Sequence, residues 1–121
     1  MIRSTLCAVL MVGFIAGAAP QAEAGGTKCL PGSIKVMLNK IRKRFGKVTI
    51  ASTYRKNARI AKTGRRSLHA SCRAVDFHVP RKNYWKAARW LKKNHNGGVG
   101  TYSGRHNHLH IDNGRRARWH N

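Results

Sequence analysis

Apolar and polar positions repeat with two different periods along this chain. From Ser33 to Phe45, the apolar side chains Ile34, Met37 or Leu38, Ile41 and Phe45 follow helical spacing, with Lys and Arg on the opposite face. Ser33 is placed to cap that helix, and residues 25–32, with Pro31 and Gly32, form the loop before it. After Gly46 the β-branched run Val48-Thr49-Ile50 predicts a short strand, and the polar, basic stretch 54–66, broken at Gly64, predicts a long loop. Residues 74–79 predict a second strand, closed by Pro80. Asn83 then predicts the cap of a second helix through Tyr84, Ala87, Ala88, Trp90 and Leu91, stopping at Gly97-Gly98, with Trp85 and Trp90 spaced for core packing. Residues 99–102 and 108–112 predict a terminal hairpin. Helix, strand, strand, helix, strand, strand predicts an α+β fold, a small single domain with a central antiparallel sheet flanked by helices. No internal repeat, low-complexity tract or interdomain linker interrupts it.

Length limits the chain of 121 residues to one small domain. Residues 1–24 read as an export signal: Arg3 is the positive start, an apolar run follows, and Ala22-Glu23-Ala24 offers a small-x-small cleavage site. The run is shorter than the roughly 20 residues that span a bilayer, and Cys7 within it lacks a lipid-anchor context. The expected product is residues 25–121, periplasmic or secreted.

Charge sharpens this picture. The whole chain holds 25 Lys+Arg against 3 Asp+Glu, a formal charge of +22, and cleavage would remove one of each, Arg3 and Glu23. So basic a domain implies a polyanionic setting: nucleic acid, lipopolysaccharide or phospholipid surfaces, or a carboxylate-rich cell wall. Aromatic side chains are few, so base stacking has little support and no specific nucleic-acid partner is expected. The two remaining acids, Asp76 and Asp112, each lie in a histidine-containing segment.

Two cysteines survive cleavage, Cys29 and Cys72. An oxidising compartment favours their pairing, while two buried thiols, or Cys72 as a metal ligand near His69 and Asp76, are the competing readings.

The chemistry concentrates in the segment 67–77, which contains His69 and Asp76, and in Asn107-His108-Leu109-His110-Ile111-Asp112. On a strand the latter puts His108, His110 and Asp112 on one face and Leu109 and Ile111 on the other. One imidazole and one carboxylate from the first segment, with one imidazole from the second, make the three-ligand set of a catalytic zinc. The competing reading is a solvent-facing histidine stripe. The tripeptide His106-Asn107-His108 is too compact for the hairpin-helix unit of a nuclease.

These residues resemble the zinc peptidases grouped with D-Ala-D-Ala carboxypeptidases, lysostaphin and hedgehog domains, and are most similar to the YcbK-like, murein endopeptidase K branch. The family pattern Ser-x-His-x-x-Gly-x-Ala-x-Asp is met by Ser67, His69, Ala74 and Asp76, with Cys72 in the place of its glycine. Gly-Gly-Val-Gly-x-Tyr is met by Gly97, Gly98, Val99, Gly100 and Tyr102, and His-Ile-Asp-x-Gly by His110, Ile111, Asp112 and Gly114, with Arg116 and Trp119 beyond. The resemblance runs from about Val48 to Trp119. It implies a hedgehog/D-Ala-D-Ala-peptidase-like fold, zinc held by His69, Asp76 and His110, and a substrate carboxylate gripped by Arg55 of Ser52-Thr53-Tyr54-Arg55. Tyr102 is expected to line the cleft or to pack in the hairpin.

The related carboxypeptidases have Glu or Asp three residues before the last zinc histidine, where this chain has Asn107, and residues 25–121 contain no Glu. The expected general base is therefore His108, because histidine is the residue type suited to proton transfer near neutrality. Asp112 is expected to orient an imidazole. The implied function is hydrolysis of amide bonds in peptidoglycan stem peptides, with added electrostatic contact to anionic envelope surfaces. The alternative is a non-catalytic, zinc-containing, strongly basic wall-binding module.

Overall fold

The computed structural model describes residues 26–104 and 107–121, so the expected export signal and His106 lie outside the described residues. Helix α1 (Gly32–Phe45) buries Ile34, Leu38 and Ile41 in one stripe, with Met37 and Phe45 packed beside it. Pro31, not Ser33, holds the cap position; its carbonyl accepts from the amides of Ile34 and Lys35 at 3.0 and 3.1 Å. Helix α2 (Tyr84–Asn94) buries Tyr84, Ala87, Ala88 and Leu91 and ends ahead of the glycines expected to stop it. Asn83 makes no capping bond either, because its amide donates to the carbonyl of Phe45 at 2.8 Å and ties the helices together. Trp90 packs edge-on against Phe45, but Trp85 is 50% exposed, which corrects the expectation that it packs in the core. One position past Tyr84, it is turned about 100° off the buried stripe.

The strands are β1 (Thr49–Ser52), β2 (Ala74–His78), β3 (Gly98–Thr101), β4 (Leu109–Asp112) and β5 (Ala117–His120), ordered β1-β2-β4-β3-β5. β1 with β2, β2 with β4 and β3 with β4 are antiparallel, the last being the expected hairpin. β5 pairs with β3 in parallel, so the sheet is mixed and the expectation of a wholly antiparallel one is corrected. The α+β class stands. The run Ala117-Arg118-Trp119-His120 alternates over only four residues, too few to announce this edge strand, which is fastened by side chains. Arg118 donates to the carbonyls of Lys92 and Gly97, and Arg116 to that of His95, so both arginines satisfy the carbonyl end of α2.

Register decides where the chemistry sits. Val75 faces Ile111 and Phe77 faces Leu109 across β2 and β4, and with Val99 these side chains join the buried stripes of both helices in one core. The alternate positions Asp76 and His110 are also directly paired and point away from that core. β1 shifts register between Ile50 and Ser52, a bulge that re-aims the chain leading to Thr53 and Arg55.

Cys29 and Cys72 are disulfide-bonded with Cα atoms 5.9 Å apart, so Cys72 is no thiolate ligand. Closing a loop with a sequence separation of 43 contributes about 4 kcal/mol in the chain-entropy account. Among the described residues no helix is long and apolar enough to cross a membrane.

Candidate metal centre

The mid-sheet pairing of β2 with β4 brings the Asp76 carboxylate to the His110 imidazole, Oδ1 to Nδ1, at 2.8 Å. His69 comes from a short 3-10 turn, Leu68–Ser71, whose cap Ser67 accepts from the His69 amide at 3.2 Å. Its Nε2 lies 3.2 Å from the same Asp76 oxygen. All three residues are buried, and one ligand atom from each falls within 4.8 Å of the others. The three expected ligands are thus brought together.

Hydrogen bonds aim both imidazoles. The His69 Nδ1–H donates to the carbonyl of Thr53 at 2.6 Å, and a carbonyl only accepts, so Nε2 is the lone-pair nitrogen. That Nε2 is buried with no hydrogen-bond partner. An orphaned acceptor in a core is costly, and a metal ion held by the three-residue cluster would satisfy it. The His110 Nε2–H donates to Asp112 Oδ2 at 2.8 Å, which leaves Nδ1 as its ligand nitrogen. Asp112 is held in turn by the amides of Gly98 and Gly114, each 2.9 Å from Oδ1.

The glycines of Gly97-Gly98-Val99-Gly100 make room for this arrangement. A Cβ at Gly98 would stand 2.4 Å from Asp112 Oδ2, and one at Gly100 would stand 2.5 Å from the Trp119 ring. That indole packs 5.0 Å from the His110 ring.

Burial alone raises the Asp76 carboxyl, but the hydrogen bond from His110 and the His69 ring beside it outweigh burial and hold the group well below the usual carboxylate range. Burial lowers the His110 imidazole, yet Asp112 and Asp76 on its two nitrogens raise it above the ordinary histidine value. Burial likewise opposes ionisation of Asp112, and His110 with the Gly114 and Gly98 amides lowers it nonetheless. Both neighbouring carboxylates thus favour the imidazolium form of His110, and a cation held at Nδ1 would take the place of a proton there.

Three expected residues stand around this centre. His108 Nε2 is 3.9 Å from Asp76 Oδ2, with the side chain one quarter exposed. Its ring stacks on that of Tyr102 at 4.2 Å between centroids. Arg55 Nη1 is 3.8 Å from Asp76 Oδ2, and the arginine side chain is about half exposed. Tyr102 belongs to both expected settings, since it covers His108 while its hydroxyl accepts from Trp119 Nε1 at 2.9 Å.

Sequence reasoning missed the supports. Thr53 orients His69 through its backbone, which its residue type does not disclose. The buried Tyr84 hydroxyl contacts the carbonyls of His108 and Tyr102 at 3.1 and 2.9 Å and accepts from the Tyr102 amide, pinning the backbone beneath His108. The need of a buried tyrosine hydroxyl for partners was its one available signal. His95 Nε2–H donates to the carbonyl of Asp112 at 2.6 Å, and burial keeps this imidazole below its ordinary value and neutral near pH 7.

A family model described as Peptidase M15 matches residues 16–112. No curated protein and no solved structure gives a significant match.

Proposed function

The chain belongs to the peptidase M15 family, and from that premise we propose that it is an exported zinc peptidase hydrolysing amide bonds of peptidoglycan stem peptides. The observation that bears most weight is the buried, unpartnered Nε2 of His69 beside Asp76 and His110. Two imidazoles and a carboxylate form a borderline nitrogen and oxygen donor set that suits zinc and leaves a coordination position open. When bound, zinc supplies Lewis acidity, polarising a carbonyl and making water nucleophilic near neutral pH.

The chain's own residues do the rest. Asp112 and the Thr53 carbonyl fix the two imidazoles in their ligand orientations before any metal arrives. His108 Nε2, facing Asp76 from the open side, takes the proton of the attacking water and returns it to the departing amine. Stacking on Tyr102 and the Tyr84 hydroxyl below hold His108 for that transfer. Arg55 grips a substrate carboxylate through two parallel hydrogen bonds. Its amide donates to the His69 carbonyl at 3.0 Å, so the grip and the ligand are set at a fixed spacing.

Peptidoglycan stem peptides supply carboxylates for Arg55, and the disulfide suits an oxidising compartment. Both acids among the described residues, Asp76 and Asp112, are buried in the centre, so every exposed charged side chain there is basic. That surface draws the protein to anionic envelope polymers. The murein endopeptidase K-like branch is the assignment within the family that we favour, on its matching motifs.

Digestion of purified peptidoglycan, with and without chelator and beside a His69→Ala control, tests the reading by mass spectrometry. Chelator-sensitive release of shortened or uncross-linked stem peptides is the expected result, and it identifies the bond. A protein that binds one zinc but releases nothing is instead the wall-binding module, a reading favoured by Asn107 standing in place of a catalytic carboxylate.

A further inference from the structure

The metal centre leaves one feature without a role: a residue other than glycine in left-handed backbone beside a ligand. Cys72 caps the Leu68–Ser71 turn with φ 52° and ψ 39°. A side chain is disfavoured there because its Cβ crowds the carbonyl, whereas glycine takes the conformation freely. The turn depends on it, since it lets the amides of Cys72 and Arg73 reach back to the carbonyls of His69 and Leu68 at 3.3 and 3.0 Å. The backbone of His69 is thus closed off by a residue that works against the closure.

The segment just before α1 meets this support twice. Cys29 bonds covalently to Cys72. The Thr53 hydroxyl, belonging to the residue whose carbonyl orients the His69 ring, donates to the Gly26 carbonyl at 3.0 Å. One contact reaches the backbone cap of His69, and the other reaches its ring acceptor.

We propose that residues 26–30 form an arm that positions His69, with the Cys29–Cys72 bond holding Cys72 in the left-handed cap that glycine would adopt unaided. Cys29, Cys72 and Thr53 are positioning residues, acting on the metal through His69 alone. This inference rests on reading His69, Asp76 and His110 as a zinc site.

The test is zinc affinity of the mature chain, measured by competition with a chromogenic chelator, for wild type, C29A/C72A and C29A/C72G. Both double variants lack the cross-link and differ only by the Cβ at position 72. C29A/C72A is expected to bind zinc about tenfold more weakly than wild type, and C29A/C72G to recover to within about twofold. Equal affinities in the two double variants, at either level, overturn the proposal by reducing the bond to a general staple or to nothing. Wild-type protein that binds no zinc defeats the metal-site reading itself, which is a different outcome.

Should neither double variant fold, Thr53→Val keeps the disulfide and removes only the Gly26 tie. About threefold weaker zinc binding is expected there, with recovery in Thr53→Ser. Unchanged affinity in Thr53→Val overturns the arm.

Discussion

The two halves of the metal centre are built by different means. Asp76, His110 and Asp112 stand on adjacent central strands, placed by a ladder whose register is fixed by the burial of Val75, Phe77, Leu109 and Ile111 on the opposite side. His69 stands on a four-residue 3-10 turn, Leu68–Ser71, placed by Ser67, the Thr53 carbonyl, an amide from Arg55 and a disulfide. The strand half is fixed by the core of the domain. The turn half is assembled from individual contacts of Ser67, Thr53 and Arg55, which lie outside that core, and from a disulfide.

Removing a ligand from either half gives the largest effect and tests whether the halves are equal partners. His69→Ala, Asp76→Ala and His110→Ala are each expected to weaken zinc binding by more than about 100-fold and to abolish hydrolysis, measured by chelator competition and peptidoglycan digestion. The halves should separate in thermal melts of the metal-free protein. Asp76→Ala strips a carboxylate from a buried imidazolium and is expected to cost about 3–5 kcal/mol. His69→Ala leaves the Asp76–His110 pair in place and should cost less. Equal melting losses would show that the turn is as deeply tied to the core as the strands are.

A smaller effect comes from Asp112, which orients its neighbour without being a ligand. Asp112→Asn is expected to reduce zinc affinity by about 10- to 100-fold and to leave the fold intact. Gly98→Ala reaches the same carboxylate from the backbone, because its Cβ would lie 2.4 Å from Oδ2. Overpacking of this kind costs about 1–3 kcal/mol, read as a lower melting temperature, together with weaker zinc binding. A melting loss in Gly98→Ala with zinc affinity unchanged would show that Asp112 does not set the His110 orientation.

This division also marks what the sequence disclosed. Alternation in Leu109-His110-Ile111-Asp112 announces one apolar and one polar side, and the paired strand Val75-Asp76-Phe77 repeats the pattern, so the strand half was legible before any coordinates. The expected cap by Ser33 failed because Pro31 already supplies the first helical acceptor, and that by Asn83 because the side chain had a better partner in Phe45. β5 was hidden because its alternation spans only four residues and its fastening, Arg118 reaching the carbonyl end of α2, is long-range. Thr53 was hidden for the same reason at the site, since backbone carbonyls are common to all residues. His69 was legible only as part of a motif; nothing local in Leu-His-Ala-Ser says which nitrogen is free.

The mildest probe is pH, and its sign follows from the directions of the shifts. In the metal-free protein the His110 imidazole is raised from 6.5. Its stabilising charge is therefore fully present below pH 6.5 and is lost as pH rises through the folded value. Asp76 and Asp112 are lowered from 3.8, so their contribution is present above that value and is lost as pH falls through their depressed ones. The strand half is accordingly expected to stabilise the metal-free fold most between about pH 4 and 6.5. His95, lowered from 6.5 by burial, works the other way, since below that value the unfolded chain takes up a proton that the fold resists. Zinc must displace the His110 proton, so affinity should climb with pH by up to about tenfold per unit until the raised imidazole is passed, then level off. Calorimetry in buffers of different ionisation enthalpy should register proton release on zinc binding at about pH 6, below the ordinary histidine value from which His110 is raised. Release near zero would mean that His110 is already neutral without metal, so that the strand half holds two carboxylates with no imidazolium between them.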